Sequence, residues 1–298
     1  AHAAGWRNAK HGAQWAATLE AYAFPVIGAH SVAAISTSDV LDILRPIWTE
    51  KPETASRLRG RIEAVLDYAK AQGWRSGENP AAWKGNLDNL LPARSKVARV
   101  THHPAIPYAD LPPVMARLLD AEPVSARCLA FAILTAARSG EARGARWDEI
   151  DVDAATWTVP GERMKAGRPH RVPLSEAALD ILRAIQPLQR GLDGLVFPGG
   201  KAGRPLSDVA LSKALVAAAG EGFTVHGCRS SFRDWCAEQT SYASEIAEAA
   251  LAHTNRDKVE AAYQRSDLIE RRARLMQDWS DYLTRPAGGA VVPIRGRA

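Results

Sequence analysis

The stretch LTAARSGEARGARW, residues 134–147, decides how this chain is read. The residues leading into it, Ser125 to Ala137, are apolar enough to form a buried helix. That helix delivers Arg138 at its end, followed by Ser139, Gly140 and Glu141. A guanidinium beside a buried helix is costly unless a partner or an anionic ligand neutralises it. Glu141, three residues on, can orient it, and a plain Arg138–Glu141 ion pair is equally open at this point. Downstream come three short β-like pieces, Trp147–Asp151, Thr156–Pro160 and His170–Leu174. Helices are then expected at about 175–189, 207–219, 226–239, 243–251 and 266–283. This half of the chain is therefore expected to be mostly helical, with one small antiparallel sheet.

Upstream, from His11 to about Ala71, the pattern is helical throughout. Trp15, Leu19 and Tyr22 recur at helical spacing, and Val40, Leu41 and Leu44 mark a second helix that Thr37 or Ser38 could cap. A third helix, Glu53 to Gln72, places Leu58, Ile62, Val65 and Leu66 on one face and carries Arg57, Arg59 and Arg61 on others. At 298 residues two domains are the natural expectation. The divisions expected are a helical unit over 1–90, a proline-containing basic linker over 91–107, a second unit over 108–285 and a tail over 286–298.

Composition narrows the class without naming it. The net charge of +5, from 38 Lys+Arg against 33 Asp+Glu, is compatible with a nucleic-acid partner but common among soluble proteins. Three cysteines, Cys128, Cys228 and Cys236, lack CxxC spacing, which argues against a disulfide framework or a structural zinc site and fits a reducing cytoplasm. No apolar run approaches the ~20 residues that span a bilayer, so no membrane association is expected. The chain begins at Ala1 rather than Met, and the expectation is that an N-terminal domain was cut away.

Three further segments carry chemistry-bearing residues, each with a bland alternative. TVHGCRSSFRDW (224–235) sets His226 and Arg229 on one face at a helix N-terminus, where free N–H groups favour a phosphate, although such a pair is often a solvated face. LAHTNRDKVEAAYQRSD (251–267) holds His253 and Tyr263, and a tyrosine on a short helix is ordinarily a packing residue. MKAGRPHRVPLS (164–175) puts Lys165 near a hairpin tip, where a lysine normally just faces solvent.

Taken in order, Arg138, Lys165, His226, Arg229, His253 and Tyr263 resemble the catalytic set of the tyrosine recombinase, or phage integrase, family. The strings TAARSGEARGARWDEID, HGCRSSFRDW, LAH and AAYQRSD are similar to that family's motifs. WAATLEAYAFPVIG and TASRLRGRIEAVLDYA resemble the helical core-binding domain of temperate-phage and genomic-island integrases. The resemblance covers about residues 8–285 and implies a helical core-binding domain followed by a mixed α+β catalytic domain. It also implies transesterification on DNA. Tyr263 attacks phosphorus to leave a 3′-phosphotyrosyl enzyme and a free 5′-hydroxyl, so the bond energy is conserved and no cofactor, ATP or metal is required.

The residue types suit that chemistry. Arg138 and Arg229 would bind phosphate oxygens with planar guanidinium forks. His226 would accept the phenol proton, His253 would bond a non-bridging oxygen, and Lys165 would protonate the leaving 5′-oxygen. Glu141 would hold Arg138 or His226, while Arg57, Arg59 and Arg61 would contact phosphates of a clamped duplex. The one phosphate-loop lookalike, Gly200-Lys201, fails because Ala202 replaces the Ser/Thr and Leu195 the first Gly.

The partners so implied are double-stranded DNA at attachment-type sites, a homo-tetramer on DNA formed from a free monomer, and accessory DNA-bending or directionality proteins. A type IB topoisomerase uses a closely related residue set and is the nearest rival. A decayed integrase that only binds DNA is another.

Overall fold

In the computed structural model, residues 9–97, 104–164, 166–186, 194–201, 203–253 and 267–285 are described. The chain divides into two compact units, Ala1–His102 and His103–Ala298.

The first unit is helical. Helix α1 (Ala9–Thr18) runs through a π-helical turn, Leu19–Ala23, into α2 (Phe24–Ile27). Two longer helices follow, α3 (Thr37–Trp48) and α4 (Pro52–Ala71), and then the short α5 (Arg94–Val97). The cap of α3 is Ser36, one residue before the expected Thr37 or Ser38, because only Ser36 can close a box with Asp39. The Ser36 hydroxyl accepts the Asp39 N–H at 3.3 Å, and the Asp39 carboxylate accepts the Ser36 N–H at 2.8 Å. The core forms where Val40, Ile43, Leu44 and Ile47 of α3 meet Leu58, Ile62 and Leu66 of α4. Val65, expected on that stripe, lies at its flank and is exposed. Trp48 stacks on Trp83 with ring centres 5.6 Å apart, and its indole N–H donates to the Pro92 carbonyl at 2.9 Å.

The second unit begins inside the stretch expected as linker. Ile106 is buried in its core, and the Pro104 carbonyl accepts the Thr224 N–H at 3.1 Å. The helices are α6 (Leu111–Asp120), α7 (Val124–Leu134), α8 (Ser139–Arg143), α9 (Glu176–Ile185), α10 (Asp208–Ala219), α11 (Gly227–Gln239), α12 (Ser244–Ala250) and α13 (Ile269–Thr284). Between α8 and α9 lies an antiparallel sheet, β1 (Ile150–Asp151), β2 (Thr156–Val159) and β3 (His170–Pro173), in the order β1-β2-β3. Its register pairs Trp157 with Val172 and Val159 with His170. The first β-like piece is shorter than expected. Trp147–Glu149 is a 3-10 turn, and Glu149 accepts the Trp157 indole N–H at 3.0 Å.

Helix α7 is the hub of this unit. Phe131 lies 5.4 Å from the rings of both Trp157 and Phe197, so α7 ties the sheet to the loop after α9. On α13, Trp279 packs 4.9 Å from Trp235 and donates to the Ile133 carbonyl at 2.9 Å, which locks the last helix against α7 and α11. Truncating an aromatic buried this completely costs about 3–5 kcal/mol. At Gly227 a Cβ would fall 2.1 Å from the Pro104 carbonyl oxygen, so α11 can start against residues 104–105 only with glycine there. No helix among the described residues is long and apolar enough to cross a membrane.

Candidate active site

Two helix ends build most of the site, and they end alike. Helix α7 is closed by the Ala136 and Ala137 N–H groups bonding back to Ile133 and Ala132, with Ala136 in the left-handed region at φ 50°. Helix α12 closes with the His253 N–H on the Glu248 carbonyl at 3.0 Å, and Ala252 is left-handed at φ 49°. Such endings usually use glycine, and an alanine there costs about 1 kcal/mol. Each turn throws the chain sharply sideways, so that Arg138 and His253 leave their helices towards one region.

Arg138 stands at the N-cap of α8 with its side chain 26% exposed. Glu141, 6% exposed, accepts from the Arg138 guanidinium at 2.7 Å and from its backbone N–H at 2.9 Å. A second guanidinium N–H reaches the Ala252 carbonyl at 3.3 Å and so joins the two helix ends.

Arg229, in the first turn of α11, is buried. Its guanidinium donates to the Ala136 carbonyl and, at 2.6 Å, to the Leu251 carbonyl. The cation therefore sits where the negative ends of α7 and α12 point. Burial lowers its pKa to about 10, with Arg138 adding to the fall and Glu141 and Glu248 opposing it, so it stays charged at neutral pH. Its Nε has no hydrogen-bond partner among the described residues.

His253 completes the group. Its Nε2 lies 3.5 Å from the Arg229 guanidinium and its Nδ1 2.7 Å from the Glu248 carboxylate. With Nδ1–H donating to Glu248, Nε2 is turned towards Arg229. Glu248 also accepts from Arg233 Nε at 2.6 Å. Burial works to raise the Glu248 carboxyl, but its bonds from Arg233 and His253 outweigh that and hold it below the ordinary range.

The structure thus brings together Arg138, Glu141, Arg229 and His253 among the residues singled out in the sequence. His226 lies on the surface at the N-cap of α11, one turn before Arg229. Lys165 and Tyr263 lie outside the described residues.

The three arginines of α4 part ways. Arg57 is exposed and paired with Glu53 at 2.9 Å, whereas Arg59 is mostly covered and held by Glu63 at 2.7 Å and the Ala81 carbonyl at 2.9 Å. Arg61 faces inward, only 6% exposed, and donates to the Gln14 carbonyl at 2.7 Å and the Thr18 hydroxyl. The expectation that it faces a duplex is corrected, because its stem packs inside the unit and its head is spent on the Gln14 carbonyl and Thr18 hydroxyl of α1.

Sequence reading missed four polar residues around the cluster: Glu248, Arg233, His170 and Arg272. Glu248 and Arg233 come from different helices, and no spacing rule pairs them. His170 starts β3 inside a segment already quoted for Lys165. Burial pulls its pKa down to about 4, with Arg272 and Arg138 adding to the fall while Glu141 and the Ala250 carbonyl oppose it. Arg272, on α13, is buried to 2% exposure.

A helical unit followed by a helical unit with a small three-stranded sheet is the architecture of DNA-strand integrases of known structure. A lambda integrase (75–356) dimer bound to a COC′ core site matches with TM-score 0.63 and 18% identity, over 87% of this chain and 89% of that one. The Tn1549 transposon integrase in complex with circular intermediate DNA matches with TM-score 0.63 and 13% identity, over 90% and 92%. At those identities the likeness is one of fold.

Sequence comparison takes the assignment further. The phage integrase central domain model matches residues 1–86, and the phage integrase family model matches residues 113–268. The chain belongs to the phage integrase family. Prophage integrase IntA of Escherichia coli (strain K12) is 34% identical over 92% of this chain, which spans 65% of IntA's length. Prophage integrase IntZ of the same strain is 33% identical over 97% of this chain and 70% of its own length. The integrase of Enterobacteria phage P4 is 31% identical over 89% and 63%.

Proposed function

We propose that this chain cuts and rejoins DNA strands as a site-specific recombinase, integrating or excising a mobile element through a 3′-phosphotyrosyl intermediate at Tyr263. The observation that carries the reading is Arg229, a buried cation held among the described residues by backbone carbonyls rather than by a carboxylate, next to Arg138 and His253. A carbonyl cage offsets the cost of burial but does not cancel the charge. The cation is thus left to attract a phosphate.

In this mechanism Arg138 and Arg229 bind the non-bridging oxygens of the scissile phosphate and stabilise the charge that grows there in the transition state. His253, steadied by Glu248, bonds the same group through its Nε2 edge. His226 takes the phenol proton as Tyr263 attacks phosphorus. Lys165 gives a proton to the departing 5′-oxygen. Glu141 keeps Arg138 aimed. The free 5′-hydroxyl of a partner strand then reverses the reaction and releases the tyrosine. No step calls for a cofactor.

The partners proposed are double-stranded DNA carrying an attachment-type site and three further copies of the chain. The support is family membership together with a structural neighbour, a lambda integrase tetramer bound to a Holliday junction. A monomer in the absence of DNA, accessory bending or directionality proteins, and action in the cytoplasm complete the proposal. In the first unit, Arg57 is the proposed phosphate contact; it is exposed beside Glu53, whereas Arg59 and Arg61 bond groups inside the unit.

The test uses a duplex selected by the protein from a randomised pool and nicked near the cleavage point, so that the 5′-hydroxyl fragment diffuses away. A covalent adduct on a denaturing gel, absent with Tyr263→Phe, is the expected result. No adduct with the wild type, or the same adduct with Tyr263→Phe, refutes the mechanism.

A further inference from the structure

Helix α11 reaches across to the end of α12 with two arginines one turn apart. Arg229 donates to the Leu251 carbonyl at 2.6 Å, and Arg233 donates from Nε to the Glu248 carboxylate, also at 2.6 Å. The spacing of four residues puts both guanidinium groups on one face of the helix, so one rigid element grips its neighbour at two points. The first grip ends on a carbonyl and the second on a carboxylate.

Glu248 divides its two carboxylate oxygens. Oε1 accepts from Arg233, and Oε2 lies 2.7 Å from His253 Nδ1. The Glu248 carbonyl also accepts the His253 backbone N–H at 3.0 Å, so one residue holds the histidine by main chain and ring together. The ring's Nε2 then lies 3.5 Å from the Arg229 guanidinium. The contacts run from Arg233 to Glu248 to His253 to Arg229, and the α11 turn between the two arginines closes the loop.

Folding alone does not account for the second grip. Arg233 and Glu248 are 35% and 40% exposed, so neither charge is buried deeply enough to demand a partner. Exposed pairs of this kind contribute little to stability. A glutamate side chain has several free torsions, and a bond to the imidazole alone leaves Oε1 to water. A directed bond on that oxygen selects one rotamer, and with it one position for Oε2 and for the ring that donates to it.

We propose that Arg233 is a positioning residue for strand cleavage: set one turn from Arg229 on α11, it fixes the Glu248 carboxylate, which fixes the His253 ring with Nε2 beside Arg229. The inference rests on the reading of His253 as a phosphate-bonding residue given above, and deepens it. Arg233 acts through Glu248 and not on the phosphate. Its loss therefore slows the chemical step, spares DNA affinity and folding, and matters little once Glu248 is gone.

The test is the single-turnover rate of adduct formation on the selected, nicked duplex, with the full chain at saturating protein. The Kd for that duplex and the urea midpoint are measured alongside. Arg233→Met keeps the unbranched stem and loses the N–H, whereas Arg233→Gln puts an amide N–H where the Arg233 Nε stands. Arg233→Met is expected to form adduct about fivefold more slowly or worse, since displacements near 1 Å cost up to about a hundredfold. Its Kd is expected to stay within about twofold of wild type, and its urea midpoint to stay unchanged. Arg233→Gln is expected to recover the rate to within about twofold of wild type. In a Glu248→Ala background, Arg233→Met is expected to slow the adduct by less than about twofold more.

An Arg233→Met rate equal to wild type overturns the proposal, as does failure of Arg233→Gln to recover it. A full loss repeated in the Glu248→Ala background overturns it too, because Arg233 then acts by another route. Affinity that falls in step with rate would make Arg233 a direct phosphate contact, and a lowered urea midpoint would make it a folding residue; either result ends the proposal. A wild type without adduct, or the same adduct from Tyr263→Phe, instead defeats the cleavage reading and this inference with it. A wild-type rate in His253→Ala defeats the role of His253 and, with it, that of Arg233.

Discussion

Replacing Glu141 with alanine strikes the point where folding and the proposed chemistry meet, and its cost can be worked out bond by bond. The carboxylate is nearly buried and accepts two hydrogen bonds, one from the Arg138 guanidinium at 2.7 Å and one from the Arg138 backbone N–H at 2.9 Å. Breaking a fully buried ion pair by removing one partner costs about 3–5 kcal/mol. Here the surviving cation is a quarter exposed and keeps the Ala252 carbonyl at 3.3 Å, so water and that carbonyl recover part of the loss. Loss of the N-terminal bond to α8 adds about 1 kcal/mol. Glu141→Ala is therefore expected to destabilise the chain by about 2–3 kcal/mol. Glu141→Gln keeps an acceptor for the backbone N–H and a neutral one for the guanidinium, and should cost about 1 kcal/mol. Urea denaturation followed by far-ultraviolet circular dichroism gives both values. Glu141→Ala within about 0.5 kcal/mol of wild type, or Glu141→Gln at least as costly as Glu141→Ala, would show that the pair does not anchor α8.

Two further outcomes follow from individual side chains. His170 has its pKa depressed from 6.5 to about 4, so between those values the unfolded chain binds a proton that the folded chain refuses. Its contribution is whole above pH 6.5 and is lost as pH falls towards 4, with a slope of up to about 1.4 kcal/mol per pH unit that His170→Gln should remove. Parallel stability curves for the two proteins at pH 7, 6 and 5 would contradict this. Arg61→Ala should lower the stability of the first unit by about 1–2 kcal/mol and leave the dependence of DNA affinity on salt unchanged. If instead stability holds and the slope of log Kd against log salt falls by about one, Arg61 reaches a phosphate after all.

The helical first unit, the small sheet and the family were legible in the sequence because each rests on a local pattern. Leu58, Ile62 and Leu66 repeat at helical spacing. The Arg138, His226–Arg229 and His253 strings keep their order whatever the packing. What sequence could not show is which atoms satisfy a charge. Arg57 and Arg61 are four residues apart on the same helix, yet one faces solvent and the other bonds α1, because only tertiary packing places the Gln14 carbonyl above Arg61. The contact of Arg272 with β3 was hidden for the same reason. The bond from Arg272 to the Arg171 carbonyl joins residues 101 positions apart, and a backbone carbonyl has no sequence signature. Even Ile106 gave no warning, since one apolar residue among prolines looks like a connector until a second unit folds over it.

The contrast between the two arginines of the cluster bears on why the site is built from helix ends. Among the described residues Arg138 is paired with a carboxylate, and Arg229 is not. A carboxylate near 3 Å would satisfy Arg229 more strongly than carbonyls do, but it would also neutralise it, and an incoming phosphate would have to displace or tolerate that anion. The carbonyls of Ala136 and Leu251 provide acceptor atoms with only partial charge, reinforced by the dipoles of α7 and α12. Presenting them requires both helices to stop abruptly beside the same side chain. That is what the left-handed alanines at 136 and 252 accomplish, at about 1 kcal/mol each. The same turns aim Arg138 and His253 inward, so the strain serves two ends at once. On this reading the cation is held by geometry whose cost is met in the fold before any DNA arrives, and its charge is left for the phosphate that Tyr263 is proposed to attack.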